Sequence, residues 1–276
     1  MNIVVLSGKG GTGKTLVSTN LAVYMGANYI DTDVEEPNGF IFLKSVVEET
    51  AYVEIDIPDI DKQKCVMCFK CVDFCEFNAL AKTKQGVLVF DKLCHSCGGC
   101  KIVCPVDAVN YKKKNIGIIE KGKANHIKCI RGVLNIGEPI AVPIIKEILN
   151  NLDDTLNMID ASPGTSCNVV KTLEYADAAI LVTEPTKFGL HDLGRAVKLV
   201  EDLNIPFGVV INRITEENNI IKDYCKENKI HILAEIKHDK NVAVLYSKGE
   251  LLLEDDRYKE IFESLSNKVK ENLLCK

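Results

Sequence analysis

The sequence predicts an α/β protein: a mostly parallel sheet with helices on both faces, interrupted by one small inserted α+β unit. Three observations predict it. The chain opens on a short apolar run, Asn2 to Ser7, that ends in glycines, as a buried parallel strand does before it turns into a helix. Short β-rich runs then alternate with helical patterns along most of the length, which is the pattern of a parallel sheet with crossover helices. Between about residues 63 and 114 the alternation stops, and eight of the 12 cysteines fall there.

Each element has its own signal. Gly13 to Gly26 reads as the first helix, with Leu16, Leu21, Val23 and Tyr24 apolar, and Tyr29–Asp33 as a second strand ending in carboxylates. Further strands are expected at Thr155–Asp160, Ala178–Thr183, Phe207–Asn212 and Ile230–Ala234, with helices at Glu138–Leu152, Asn168–Glu174, His191–Leu203 and Glu217–Asn228. The last pattern, Asp256 to Leu274, places Ile261, Phe262, Leu265, Val269 and Leu273 at helical spacing. That reads as a helix packed on the core in preference to an amphipathic membrane tail. Inside the insertion, Val87–Phe90 and Val109–Tyr111 read as short β segments. Residues 1–62 and 115–276 then form one domain, and residues 63–114 a second.

Composition sets outer limits. With 276 residues, 46% hydrophobic and 26% charged, the chain can bury a full α/β core with room for a small extra module. A net charge of −5 argues against nucleic-acid binding as the main task, which needs a basic face. No run approaches the roughly 20 apolar residues of a membrane span, and Met1 leads straight into a core strand with no signal peptide. The expected location is the cytoplasm, where clustered cysteines mean metal or redox chemistry and not disulfides.

The loop after the first strand, Gly8-Lys9-Gly10-Gly11-Thr12-Gly13-Lys14-Thr15, follows G-x4-G-K-[ST] between a strand and a helix, the context that confirms a P-loop. Glycines let backbone N–H groups curl around phosphate oxygens, and the following helix directs its positive end at them. Lys14 is expected to neutralise β/γ-phosphate charge and Thr15 to offer its hydroxyl to Mg²⁺. The substrate expected is ATP.

The cysteines form two copies of C-x2-C-x2-C-x3-C: Cys65, Cys68, Cys71, Cys75, then Cys94, Cys97, Cys100, Cys104, each 29 residues after its counterpart. This is the ligand run of a bacterial ferredoxin with two 4Fe–4S clusters, in which the fourth cysteine of each run serves the other cluster. One cluster is thus expected on Cys65, Cys68, Cys71 and Cys104, the other on Cys94, Cys97, Cys100 and Cys75. Zinc is the rival, but structural zinc sites usually pair two C-x2-C hooks across a longer loop. Cys104 is followed by Pro105 as the pattern expects, whereas Cys75 is followed by Glu76. A carboxylate there is expected to lower the potential of the cluster that Cys75 serves.

With its second lysine, Lys9, the loop K-G-G-T-G-K-T resembles that of the deviant-Walker ATPases, the MinD/ParA/Mrp group and the nitrogenase iron protein. Asp31-Thr32-Asp33 resembles their first switch, and Met158-Ile159-Asp160-Ala161-Ser162-Pro163-Gly164 their Walker B strand and second switch. Val182-Thr183-Glu184-Pro185 and Ile211-Asn212-Arg213 resemble later strand ends. The resemblance implies a dimer, homotypic or with a paralogue, in which Lys9 reaches the partner's ATP. It also implies that Asp33 activates the attacking water, that Asp31 and Asp160 lie near Mg²⁺, and that Asn212, beside Arg213, recognises adenine. A MinD-like ATPase with an inserted two-cluster ferredoxin resembles a known prokaryotic subgroup.

Cys167, seven residues after Asp160, stands at the offset where the nitrogenase iron protein places a cluster ligand, so a third metal site between subunits, with Cys129 as a second ligand, is one expectation. Cys225 reads as a helix residue, Cys275 as a free tail thiol, and His95 as exposed. The Lys112–Lys114 run reads as a solvated edge or a dock for an acidic redox partner. Three functions compete: an ATP-gated electron carrier serving a redox or metalloprotein partner, an iron–sulfur carrier or assembly ATPase, and a redox-sensing positioning switch.

Overall fold

The glycine loop after the first strand sets the frame of the computed structural model, which describes residues 1–215 and 219–274. Strand β1 (Asn2–Leu6) runs under it and helix α1 (Lys14–Met25) leaves it. Gly13 caps the helix start with φ 96° and Gly26 its end with φ 64°, left-handed positions that glycine adopts without a Cβ penalty. Then come β2 (Asn28–Asp31), the short α2 (Gly39–Leu43) and a long β3 (Val46–Ile60). The cysteine-bearing stretch holds α3 (Lys70–Phe74), a hairpin of β4 (Leu80–Thr83) and β5 (Gly86–Val89), and α4 (Gly99–Ile102). The chain returns along β6 (Val109–Ala124) and β7 (Ile127–Leu134) to α5 (Val142–Leu149), which has proline in its first turn.

The remainder alternates: β8 (Asn157–Asp160), α6 (Cys167–Leu173), β9 (Ala178–Thr183), α7 (Lys187–Asp202), β10 (Phe207–Ile214), α8 (Ile220–Glu227), β11 (Ile232–Lys237), α9 (Lys240–Ser247) and α10 (Asp256–Val269), which ends in a π-helical turn. Side-chain caps fix three starts: Thr186 accepts from the Gly189 N–H, Asp239 from Asn241 and Asp255 from Arg257. The expected helix at Glu217–Asn228 begins among residues outside the described set, as does Cys275.

Among the described residues the main sheet has nine strands in the order β11-β10-β9-β1-β8-β2-β7-β6-β3. From β11 to β7 every pairing is parallel; β6 runs antiparallel to β7, and β3 to β6. One face packs Val4, Ile30, Ile159 and Leu181 against α5, α6, α7 and α8. The other packs Ile3, Val5, Met158 and Ile180 against α1, α2 and α10. Helices therefore cover both faces, as the alternation predicts, and Ile261–Leu273 does pack on the core. The antiparallel edge is a feature the sequence reading lacked: Val109–Tyr111, read as a short segment, is the start of the sixteen-residue β6.

That edge positions the cysteines. β6 meets β7 only from Gly117 onward, yet its pairing with β3 continues out to Ile60↔Val109. A two-stranded ribbon thus reaches about 24 Å beyond the sheet at ~3.4 Å per residue. Because β7 runs parallel to β2, the ribbon leaves from the end where Asp31 and Asp160 lie. Val53, Ile55 and Ile57 alternate inward along it and share one apolar cluster with Ala79, Cys94, Ile116 and Ile144. The cysteine stretch is packed on the same core as the helices. Its outer strand β3 is an edge, and Glu48 and Glu49 there pair with Lys123 and Lys121, charges that discourage edge-to-edge association.

Candidate functional site

A cavity of about 480 Å³ lies at the carboxyl end of the parallel strands, where ligands bind in open α/β sheets. Gly10, Gly11, Gly13, Lys14 and Thr15 line it together with Asp33, Asn212 and Arg213. Two glycines are there of necessity. A Cβ on Gly8 would lie 2.3 Å from the Asp192 carbonyl oxygen, and one on Gly13 would lie 2.2 Å from Asn212 Nδ2. Asn212 Nδ2 donates to the Thr12 carbonyl at 2.8 Å, tying the end of β10 to the loop. Pro163 lines the cavity, and the N–H of the next residue, Gly164, bonds the Ser7 carbonyl at 2.8 Å. The Thr12 hydroxyl is buried with no hydrogen-bond partner among the described residues, the kind of orphan that a bound anion satisfies.

Behind the loop, one buried lysine faces three carboxylates. Lys14 Nζ donates to Asp160 Oδ1 at 2.7 Å and lies 3.6 Å from Asp33 Oδ2. Burial alone would lower the Lys14 pKa, but Asp160, Asp33 and Asp31 outweigh it and hold the ammonium above its ordinary value. Asp31 is buried on the same strand face as Tyr29. Its carboxylate accepts from the Gly39 and Asp33 N–H groups, and the Tyr29 hydroxyl lies 3.3 Å from it and 3.0 Å from Asp160. Burial and the nearby Asp160 push the Asp31 carboxyl well up. Burial, with Asp160 adding to it against Lys14, pushes Asp33 up to about 6. Burial and mutual repulsion hold Asp31 and Asp33 back from ionising, a cost that a divalent oxygen-seeking cation beside them would relieve. Thr15, Asp33, Asp31 and Asp160 thus gather beside the phosphate loop, where Mg²⁺ would arrive with a nucleotide, although no three of these carboxylates converge on a single-ion centre by themselves.

Lys9 turns the other way. Its ammonium pairs with Glu184, and Arg213 joins the same carboxylate at 3.3 Å. The motifs named Glu184 only as a strand end, and its role as counter-ion was not legible. Sequence reasoning also missed Tyr29 and the far wall of the cavity, formed by Lys237 at the end of β11, His238 just after it, and Val242 and Tyr246 from α9. Tyr246 packs on Phe42 with ring centroids 4.6 Å apart. The available signal was positional: this wall follows a parallel strand at its carboxyl end.

The eight patterned cysteines sort into two sets in space. Cys65, Cys68, Cys71 and Cys104 line one cavity, beside Ile60 and Val109 at the ribbon's far end. Cys75, Cys94, Cys97 and Cys100 line another, beside Asp56, Pro58 and Tyr111, nearer the sheet. Each set joins three cysteines of one sequence copy to the fourth of the other. Burial and the facing thiols of Cys104 and Cys65 push Cys71 up, and burial with Cys75 and Cys97 does the same to Cys94. Cys100 is pushed up to about 11 by burial and its thiol neighbours. The Ser96 N–H points at Cys94 Sγ at 3.5 Å and the Ala108 N–H at Cys104 Sγ at 3.2 Å. Glu76 lines the nearer cavity, as does His95, which is exposed and stacks on Phe77 at 3.8 Å. Among the described residues no three His, Cys, Asp or Glu side chains converge closely enough to hold a single metal ion.

Cys129 and Cys167 do not come together. Cys129 is wholly buried with the apolar cluster on the α1 face, while Cys167 is exposed at the start of α6, on the opposite face. An alternating strand residue points to one face only, so within one chain the two thiols do not share a site. Cys225 is buried in α8.

Fold and cavity together define a P-loop nucleotide-binding protein of the α/β class. A family model described as the CobQ/CobB/MinD/ParA nucleotide binding domain matches residues 3–253, and the chain belongs to that family; it is an ATPase. An uncharacterized protein of Methanocaldococcus jannaschii is 34% identical over 276 residues, 97% of either chain. An iron–sulfur cluster carrier protein of Pyrococcus horikoshii is 26% identical over 244 residues, covering 84% of this chain and 66% of that one. The septum site-determining protein MinD of Pyrococcus horikoshii, complexed with Mg-ADP, superposes with a TM-score of 0.61 at 17% identity, over 98% of this chain and 96% of that one. No helix among the described residues is long and apolar enough to cross a membrane.

Proposed function

We propose that this protein is a cytoplasmic ATPase that couples its nucleotide cycle to one-electron transfer through two 4Fe–4S clusters held by the crossed cysteine sets, serving a redox or metalloprotein partner. The observation that carries the reading is the sorting of eight thiols into two crossed cavities on a ribbon rooted at the nucleotide end of the sheet. Structural zinc sites usually pair two C-x2-C hooks across a longer loop, whereas each set here joins three thiols of one C-x2-C-x2-C run to a fourth from the other copy. A four-iron body takes its ligands from a wider ring of soft thiolates, and supplies reversible one-electron chemistry.

In this reading residues 63–114 form the ferredoxin-like module. The chain's own groups then have the following tasks. The loop amides from Gly8 to Gly13 and Lys14 cradle the phosphates of ATP, Thr15 offers a hydroxyl to Mg²⁺, and Asp31 and Asp160 hold its water shell. Asp33 takes the proton of the attacking water. Asn212, with Arg213 beside it, faces the base. Lys9 leaves Glu184 and reaches the ATP of a second subunit, so turnover needs a dimer, homotypic or with a paralogue.

Support for coupling is local. The Leu134 N–H bonds the carbonyl of Val34, directly after Asp33, and the Asn135 N–H bonds the carbonyl of Ile116, on the strand leading to the cysteines. Lys114 then pairs with Glu138 at 2.7 Å. An anaerobic redox titration followed by EPR, with and without a slowly hydrolysed MgATP analogue, tests it. Linkage is reciprocal, so a nucleotide that prefers one redox state must move the potential, by about 59 mV per 1.4 kcal/mol for one electron. An unmoved potential would refute equilibrium coupling.

A second reading, an iron–sulfur carrier or assembly ATPase, is favoured by the name of the Pyrococcus horikoshii relative and by the exposure of Cys68 and Cys97. It requires cluster transfer to an apo-protein, which eight crossed ligands oppose.

A further inference from the structure

The basic run that the sequence offers for docking, Lys112–Lys114, is neutralised in the fold. Lys112 pairs with Asp91 at 3.2 Å, Lys113 with Asp56 at 3.0 Å and Lys114 with Glu138 at 2.7 Å. Free positive charge sits instead at the ribbon's far end. Lys62, Lys64, Lys70 and Lys84 are exposed, and none has an ion pair or side-chain hydrogen bond among the described residues.

These four frame the outer cysteine set. Lys64 precedes Cys65 and Lys70 precedes Cys71, while Lys62 and Lys84 line a groove of about 410 Å³ with Cys65 and Met67. Inside the frame Val66 is 61% and Met67 50% exposed, beside the exposed Cys68. Residues 62–71 contain three lysines and no carboxylate. Of the acids nearby, Asp61 accepts the Gln63 and Lys64 N–H groups, Asp73 and Asp107 are engaged by Lys82 and Lys101, and Asp59 lines the groove.

The internal repeat supplies a control. Twenty-nine residues after Lys62, Lys64 and Lys70 stand Asp91, Leu93 and Gly99. The second copy builds its cysteine loop without those lysines, so holding thiols in place does not call for them. An acidic protein that gathers unpaired lysines around one apolar, thiol-bearing tip has a surface complementary to carboxylates.

We propose that this tip is the docking surface for an acidic electron-transfer protein, an iron–sulfur or flavin protein with a carboxylate rim. The inference rests on the reading of the cysteine sets as 4Fe–4S centres. One electron leaves the reduced partner, which is oxidised by one electron, and enters the outer centre on Cys65, Cys68, Cys71 and Cys104, which is reduced by one; no atom or proton changes hands. The inner set, packed against the sheet, lies next on the way to the nucleotide end. Val66 and Met67 supply the contact centre and the lysines steer the approach.

The probe is an acidic bacterial two-cluster ferredoxin, with basic cytochrome c as the opposite-charge control. Iron analysis and EPR come first. Fewer than about eight irons per chain would sink the cluster reading and this inference with it, whereas failures in the loaded protein strike the docking surface alone. In the loaded protein, the Kd for the ferredoxin should tighten as salt falls. It should weaken about tenfold or more in Lys64→Glu/Lys70→Glu and stay within about twofold in Lys112→Glu/Lys113→Glu. Lys64→Gln/Lys70→Gln, a milder change, should show an intermediate loss, and carbodiimide should cross-link these lysines to the probe's carboxylates. A salt-independent Kd, equal binding of cytochrome c, or a loss confined to the Lys112/Lys113 variant overturns the proposal. So does binding of phosphatidylglycerol vesicles that displaces the ferredoxin, which would assign the lysines to a lipid surface.

Discussion

Asp33 is where the nucleotide cavity costs the protein stability. Its carboxyl is raised from 3.8 to about 6 by burial and by Asp160, with Lys14 opposing. Between those two values the folded chain holds a proton that the unfolded chain has lost, so stability falls as pH rises from about 4 to 6 and is level above. A shift of about two units corresponds to at most ~3 kcal/mol. Asp33→Asn should remove that slope in nucleotide-free protein and raise its Tm at pH 7 by about 5 °C, while lowering ATP turnover about 10²-fold or more. Calorimetry from pH 4 to 8 and a phosphate-release assay check both halves; an unchanged slope would mean that Asp33 is ordinary. At Gly13 the opposite holds: its φ of 96° and the 2.2 Å approach of Asn212 Nδ2 leave no room for a side chain. Gly13→Ala should abolish binding of a fluorescent ATP analogue. Lys14 and the glycines were legible because phosphate chemistry dictates residue type at fixed spacing, whereas Asp33 and Asn212 were legible only through the resemblance to the deviant-Walker ATPases. Tyr29 and Glu184 were not, since a tyrosine under a carboxylate pair and a glutamate that accepts two cations carry no local pattern.

At the scale of elements, the crossed cysteine sets make a prediction that sequence order alone contradicts. Cys104 stands in the second copy but lines the cavity of the first, and Cys75 does the reverse. Cys104→Ser should therefore perturb the EPR signature of the centre on Cys65, Cys68 and Cys71, and iron should fall from about eight towards about four per chain. Cys75→Ser should affect the other. Loss of the Cys94 centre on changing Cys104 would refute the crossing. The parallel strands were legible because buried runs such as Ala178–Thr183 are apolar throughout. β3 and β6 were hidden because they form an edge ribbon, apolar on one side only. Glu48, Glu49, Lys121 and Lys123 fill the exposed positions, and a charged, half-buried strand reads as a loop unless its period of two is counted. Ile57, wholly buried where ribbon and sheet share a core, tests that union: Ile57→Ala should cost about 2–5 kcal/mol in chemical denaturation, and should loosen the cysteine stretch in hydrogen exchange.

The whole molecule is a nucleotide-binding ATPase whose second lysine, Lys9, is paired within its own chain. In a single chain Lys9 is paired with Glu184, which also engages Arg213, yet the proposed cycle needs Lys9 at the ATP of another subunit. Breaking the home pair is then part of the free energy of dimerisation, and it is counted twice in a symmetric dimer. Lys9 is about one-third exposed at its side chain and Glu184 more buried, so the pair contributes on the order of 1 kcal/mol. Glu184→Gln removes that hold and leaves Lys9 free in size and charge. It should strengthen MgATP-dependent dimerisation by about tenfold or more, since two pairs at ~1 kcal/mol each exceed the 1.4 kcal/mol that corresponds to a factor of ten. Lys9→Ala should abolish turnover while leaving ATP binding by the monomer within a few fold. Sedimentation velocity in a slowly hydrolysed MgATP analogue, alongside turnover measured against protein concentration, separates the cases. If Glu184→Gln weakens the dimer instead, Glu184 works across the interface as an acceptor, and the hold on Lys9 is released by some other group. If Lys9→Ala turns over normally, ATP is hydrolysed within one subunit, and the cysteine ribbon must respond to nucleotide through Val34, Leu134 and Ile116 alone.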